Sequence, residues 1–409
     1  MLRLFNSLGK KIETFRPVNK EVVTIFTCGP SVYQRSHIGN FRTFLFEDVL
    51  VRYLEYSGYR VRRGMNFTDI EDKAFEEAAR KKTSIRLLAD KNIKEFLRET
   101  KLLNMKTPDY TPRASDTDNV MQAADLIGQL IDLDIAYRYR GDLYFDPQKF
   151  KGFGRLYGLD MSKWPMKKRR FHRDTYRGIH WNYGDFILWH GYKKGDTDFW
   201  DTPIGKGRPA WNVQDAGIVS RYLQETLSVY CGGVDNLVRH HDYSIAILEA
   251  IRPYPMARFW LHCQHLFVEG SKMSKSKGNI YYTDTLLNKG YSPAEIRFFL
   301  IYGHYRERLD YSDDNMRDAV DKLRRVKKNM TGTIRKGRSG ISSVTIAQKI
   351  RRIFVEHMDN DFDVRSAFDG VGAVLSEAAN SDKKYDPAAI VKELRKIEEV
   401  LMVDLLQLN

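Results

Sequence analysis

A chain of 409 residues is too long for one ordinary core, and 42% hydrophobic residues are enough to fill two or three. No apolar run approaches the roughly 18–20 residues that span a bilayer, and residues 1–20 lack the apolar centre of a secretory signal. The three scattered cysteines, Cys28, Cys231 and Cys263, exclude a disulfide framework and point to a reducing cytosol, while the net charge of +14 suits a nucleotide or nucleic-acid partner.

Residues 22–27, Val-Val-Thr-Ile-Phe-Thr, read as a buried parallel strand that stops at Cys28-Gly29-Pro30. Apolar residues at Phe41, Leu45, Val49, Leu50, Tyr53 and Leu54 then predict a helix over about 41–56, so that strand, Gly-containing turn and helix begin a βαβ unit. Residues 112–200 change character. They are rich in Tyr, Trp, Arg, Lys and Gly, carry the basic run Lys167-Lys168-Arg169-Arg170, and read as an insertion between two halves of a nucleotide-binding fold. Apolar helical patterns return over 213–251, and a turn-rich segment follows over 269–279. Ser292-Pro293-Ala294-Glu295 predicts a helix start with a capping box. From residue 311 the chain is helical in character, with a linker over 331–344 and a last helix that puts Ile390, Leu394, Ile397 and Leu401 on one face. The expected division is 1–111 and 201–290 for the two halves of an α/β, Rossmann-like catalytic domain, 112–200 for the insertion, and 291–409 for a stem segment and helical bundle.

Two segments carry phosphate chemistry. The first, residues 28–40, lies between strand and helix, where free N–H groups and the helix dipole attract anions. Gly29 and Gly39 leave room for a nucleotide, and His37 and Asn40 offer donors to phosphate oxygens. The second is Lys272-Met273-Ser274-Lys275-Ser276-Lys277-Gly278-Asn279. Small serines, Ser274 and Ser276, alternate there with lysines, a pattern suited to a mobile loop whose Lys272 and Lys275 neutralise charge on departing pyrophosphate. Between the two, Cys231-Gly232-Gly233-Val234-Asp235 offers backbone room at Gly232 and Gly233 and a carboxylate, Asp235, for a ribose hydroxyl.

Together these segments resemble the paired HIGH and KMSKS signatures of class I aminoacyl-tRNA synthetases. The resemblance narrows to the cysteinyl-tRNA synthetase family through residues 28–40, 66–73 (Asn-Phe-Thr-Asp-Ile-Glu-Asp-Lys), 112–114, 185–189, 207–211, 303–306 and 358–362. It implies ATP with Mg²⁺, formation of an aminoacyl-adenylate, and an amino-acid pocket containing Thr68 and Trp211. The family also binds zinc through two Cys, one His and one Glu. Here Cys28 and His240 stand at the first Cys and the His positions, while Asp215 and Ser244 replace the second Cys and the Glu. Two readings stand: a three-ligand zinc site of Cys28, Asp215 and His240, with Cys231 or His241 assisting, or a polar pocket from which the metal is gone. The second is the expectation, because Ser is a poor zinc ligand. It suits an amino acid with a cationic or hydrogen-bonding side chain. The chain ends where the family's anticodon-binding domain would begin, as in mycothiol ligase. The expected activity is therefore amino-acid activation with transfer to a non-standard acceptor: a small amine, a protein, or tRNA held by its acceptor arm alone. A shortened cysteinyl-tRNA synthetase and a non-catalytic binding module are the alternatives. A monomer with no membrane association is expected.

Overall fold

The computed structural model describes residues 1–174, 181–273, 277–335, 344–381 and 387–407. Its centre is a four-stranded parallel sheet with the spatial order Ala257–Cys263, Leu227–Gly233, Val22–Thr27, Arg60–Met65. Val22–Thr27 and Leu227–Gly233, the two inner strands, are buried along almost their whole length, as a parallel sheet between helices requires, while the edge strand Arg60–Met65 is buried only in its second half. Val22–Thr27 is the first of the four in sequence and pairs with the second on one side and the third on the other. The chain therefore reverses its direction of winding at that strand, and the crevice outside its carboxyl end is where open α/β sheets bind ligands. Cys28 stands at the lip of that crevice.

The helix that follows, Ile38–Tyr56, begins three residues before the expected start. His37 caps it: its Nδ1 accepts from the Asn40 N–H at 3.3 Å, and Asn40 Oδ1 accepts from the His37 N–H at 3.0 Å. The phosphate motif is thus also a capping box. The helix is buried on most sides, with Phe41, Leu45, Val49, Leu50, Tyr53 and Leu54 all in the core. The insertion forms its own sheet, ordered Ala136–Tyr139, Asp142–Phe145, Asp185–Gly191, Arg170–Phe171, with Gly207–Pro209 on the far side of Asp185–Gly191.

Two sequence expectations need correction. The stretch 213–251 is not helical throughout: the sheet strand Leu227–Gly233 separates helices Trp211–Tyr222 and His240–Glu249. A short apolar run has no periodicity to tell strand from buried helix, and only pairing with Val22–Thr27 decides it. Residues 331–335, expected to open a linker, are instead the last turn of helix Asp313–Arg335, and residues 336–343 of that expected linker lie outside the described residues. There Thr331 and Thr333 return their hydroxyls to the carbonyls of Lys327 and Asn329, and Thr333 also reaches the Leu375 carbonyl, which anchors the turn.

Helices Asp313–Arg335, Val344–Met358, Val364–Asn380 and Pro387–Leu401 form the terminal bundle. Ile390, Leu394, Ile397 and Leu401 are buried in it as their spacing predicts. The bundle shares one hydrophobic core with the sheet. A fully buried pair, Arg297 to Asp48 at 2.6 Å, joins the stem helix Pro293–Ile301 to helix Ile38–Tyr56. The Ser292–Glu295 capping box opens that stem helix. Among the described residues, no helix is long and apolar enough to cross a membrane.

Candidate active site

A cleft of about 300 Å³ opens at the switch point. Its lining runs from Cys28, Tyr33, Glu71, Lys73 and Trp211 at one end to Asp235, His265, Lys272 and Met273 at the other, with His37, Gly39 and Asn40 between. The turn around Gly29 is tight by necessity. A Cβ on Gly29 would lie 1.6 Å from the Asn66 carbonyl oxygen, so only glycine lets the two strand ends converge. Gly39 approaches the second motif as closely: a Cβ there would meet Met273 Cε at 2.4 Å, though a methionine tip can move aside where a carbonyl cannot. The two phosphate segments, more than 230 positions apart in the chain, are therefore neighbours.

At the phosphate end, burial lowers the His37 pKa to about 4, outweighing the opposing pull of Asp235. The ring is neutral at pH 7, and Nδ1 is committed to the Asn40 N–H. The proton therefore sits on Nε2, the free donor of that ring. Lys272 lies beside His265, with Nζ 3.4 Å from its Nε2. Gly233 and Asp235 line this end, while Gly232 packs behind it against His241. Ser274, Lys275 and Ser276 lie outside the described residues.

The amino-acid end is a buried hydrogen-bond cluster around Asp215, which is 1% exposed. Its Oδ1 accepts from Asn66 Nδ2 at 2.8 Å. Its Oδ2 accepts from Tyr230 OH at 2.7 Å and from the Cys28 thiol at 3.0 Å, and pairs with His240 Nε2 at 3.0 Å. Burial works against the Asp215 carboxylate, but His240 and these donors outweigh it and hold its pKa below the usual range. Burial, then the Asp215 charge, push the Cys28 thiol well above its ordinary value, so Cys28 is a neutral S–H donor. Trp211 lies flat on the His240 ring, with centroids 4.0 Å apart and planes 4° from parallel. Behind them His241 Nε2 meets Cys28 Sγ at 3.1 Å, and a buried chain continues through His262 to Ser7.

Of the residues singled out in the sequence, Cys28 and Trp211 face the cleft, whereas Asp215 and His240 stand behind them. Thr68 is 3% exposed and serves the loop, its backbone pairing with Pro30 and Val32. Ser244 does not reach the cluster: its hydroxyl donates to the His240 carbonyl one turn back, at 3.0 Å. Cys28, Asp215 and His240 bring their donor atoms within 4.8 Å of one another, a donor set that zinc chemistry accepts. As arranged, however, the carboxylate is held by four protein partners, and the Ser244 side chain is turned away. His241, weighed in the sequence as an assisting ligand, does reach Cys28; sequence reasoning missed Asn66 and Tyr230, which complete the cluster, and Glu71, Lys73 and Tyr33, which line the cleft. Asn66, Glu71 and Lys73 all lie within the 66–73 segment, whose clustering at a strand end was the available signal. A second acidic cluster, Asp72, Asp174 and His190, lies outside this cleft and is cross-linked by Arg208, which reaches Asp72 at 2.6 Å and Asp174 at 3.3 Å.

A parallel sheet with a switch-point crevice, a capped helix over it and a lysine-bearing loop against that cap define the catalytic fold of class I aminoacyl-tRNA synthetases. Residues 14–321 match the tRNA synthetases class I (C) catalytic domain family, and the chain belongs to that family: it is a ligase of the aminoacyl-tRNA synthetase type. Cysteine–tRNA ligase of Koribacter versatilis (strain Ellin345) is 36% identical over 98% of this chain and 82% of its own length. Cysteine–tRNA ligase of Thermococcus onnurineus (strain NA1) is 34% identical over 94% and 80%. The fold matches that of Mycobacterium tuberculosis methionyl-tRNA synthetase in complex with methionyl-adenylate, with a TM-score of 0.68 and 14% identity over 94% of this chain and 92% of that one. The use of ATP with Mg²⁺ comes with the family.

Proposed function

We propose that this chain activates an amino acid as its adenylate without a metal in the pocket and transfers it to an acceptor read without an anticodon. The supporting observation is the Asp215 cluster. Asn66, Tyr230, Cys28 and His240 already saturate the carboxylate, and Ser244 is bonded to its own helix. A site of this kind selects a side chain by shape and hydrogen bonds at Cys28 and Trp211 rather than by capturing a thiolate.

The chemistry needs no protein nucleophile. The substrate carboxylate attacks the α-phosphate of ATP, forming the acyl–phosphate bond and breaking the bond to pyrophosphate. His37 Nε2–H and Asn40 bind phosphate oxygens, Lys272 and Lys275 meet the charge that develops on pyrophosphate, and Gly29, Gly39, Gly233 and Asp235 receive the nucleotide. Mg²⁺ arrives on the ATP phosphates, where it needs at most one or two carboxylates from protein.

The acceptor reading is supported by the insertion. Lys168 bonds Asp146 and Asp185, and Arg170 lies over the rings of Tyr137 and Tyr139, so two of the four basic-run residues are committed to the insertion's own fold. Lys167 and Arg169 are exposed and remain for phosphate contact. ATP–pyrophosphate exchange across the amino acids tests the activity, and silence with all of them sinks it. A competition series of tRNAs differing only in the anticodon tests the acceptor, and a many-fold preference for one anticodon sinks that part.

The gathering of Cys28, Asp215 and His240 favours a second reading, a cysteine–tRNA ligase with a three-ligand zinc site, as the names of the relatives suggest. One tightly held zinc per chain, lost with Cys28→Ser, decides for it.

A further inference from the structure

Glu71 stands where the strand Arg60–Met65 has ended and the helix Asp72–Lys81 begins, at the amino-acid end of the cleft it helps to line. Its side chain is 1% exposed, yet its Oε1 has no hydrogen-bond partner. As the N-cap residue of Asp72–Lys81 it would be expected to turn back onto that helix, but it makes no side-chain cap bond. Ser31 is the side chain that hydrogen-bonds the carboxyl group. Lys73 acts on it only through charge and sits over the Tyr33 ring, 5.7 Å from its centroid. A buried carboxylate oxygen left open costs free energy unless a donor arrives, and its surroundings are the wall of a cleft built for a substrate. Asp215 cannot take this role, because its oxygens are already occupied.

We infer that Glu71 Oε1 is the binding point for a protonated amine of a substrate at the amino-acid end of the cleft. This rests on the activation reading above. The amine has two sources, a nitrogen of the amino acid being activated or a small primary amine that accepts it. In the second case the ammonium group first gives a proton to Glu71, the freed amine nitrogen attacks the carbonyl carbon of the adenylate, the amide bond forms as the carbonyl–oxygen bond to AMP breaks, and the second amine proton leaves to the AMP phosphate or to solvent. Burial raises the Glu71 pKa to about 7, against Lys73 and Ser31 and with Asp174 and Asp72, which is suited to exchanging a proton at neutral pH.

The experiment uses the full chain and Glu71→Gln, with Glu71→Asp as a second, shortened carboxylate. Exchange of pyrophosphate into ATP is measured for the amino acids that the wild type activates, followed by amide formation from the same amino acid with ethanolamine and with 1,4-diaminobutane. If the amine belongs to the amino acid, Glu71→Gln raises its KM in exchange about tenfold to a hundredfold while the KM for ATP stays put. If it belongs to the acceptor, exchange is unchanged and amide formation falls by that factor, with partial recovery in Glu71→Asp. Because the wild-type carboxylate is buried with an open oxygen, the Tm of Glu71→Gln holds or rises. Unchanged exchange together with unchanged amide formation, or a fall in Tm, overturns the inference. A wild type inactive in exchange overturns the activation reading instead.

Discussion

The two ends of one cleft have been built to different rules. At the phosphate end, His37, Asn40, Lys272 and Asp235 occupy the places their motifs require, and each polar group is either a helix cap or faces the cleft. At the amino-acid end, Asn66, Tyr230, Cys28 and His240 have closed a hydrogen-bond network around the Asp215 carboxylate, and Ser244 is bonded to its own helix. ATP is common to every member of such a family, so the phosphate end has one task. In the proposed reading the amino-acid end decides which substrate enters, with the carboxylate cluster standing in place of a metal on the same sheet.

The strongest way to break this comparison is Asp215→Ala. It strands His240, Tyr230, Asn66 and the Cys28 thiol in the interior, so we expect a loss of stability on the order of 3–5 kcal/mol, read from denaturant unfolding. A change below about 1 kcal/mol would mean that the cluster is not the keystone described here. Next, His37→Ala and Lys275→Ala should lower the exchange rate about 100- to 1000-fold, with a smaller change in the KM for ATP, because their donors act on charge that develops during reaction. Lys275→Ala should leave unfolding unaltered, which would separate the chemical end from the structural one.

A pH series sharpens the contrast further. Burial holds the Glu71 pKa at about 7 in the folded chain against 4.5 when free. A raised folded-state pKa gives stability that is fully present below 4.5 and lost as pH rises through 7. The wild type should therefore match Glu71→Gln at pH 4.5 and fall progressively behind it as pH rises, reaching a deficit on the order of 3 kcal/mol by pH 8. The smallest effect expected is with a chelator. Prolonged treatment with a zinc chelator should leave exchange activity unchanged, and elemental analysis should find no stoichiometric zinc. Loss of activity that zinc restores would put a metal back at Cys28, Asp215 and His240.

Much of this protein was legible in one dimension. The β-branched run at 22–27, the Gly-Pro stop, the capping box at Ser292 and the 3.6-residue stripe of Ile390, Leu394, Ile397 and Leu401 are local signals, set by backbone sterics and periodicity, and the fold agrees with them. The two glycine-, serine- and lysine-bearing segments, 28–40 and the one opening at Lys272, stood out for the same reason, since such motifs owe their chemistry to backbone N–H groups and charge close by in the chain, and the structure brings them to one cleft. What only the tertiary structure decided is what each polar side chain faces. That Leu227–Gly233 is a strand follows from a partner some 200 residues away. Asp215 is occupied because Asn66, Tyr230, His240 and Cys28 come to it from four separate segments, and Ser244 is turned away because its own helix offers a carbonyl one turn back. Glu71, unremarkable in sequence, is left with an open oxygen for the same reason: satisfaction of a buried polar group is a property of three-dimensional neighbours, which residue type and spacing along the chain do not encode.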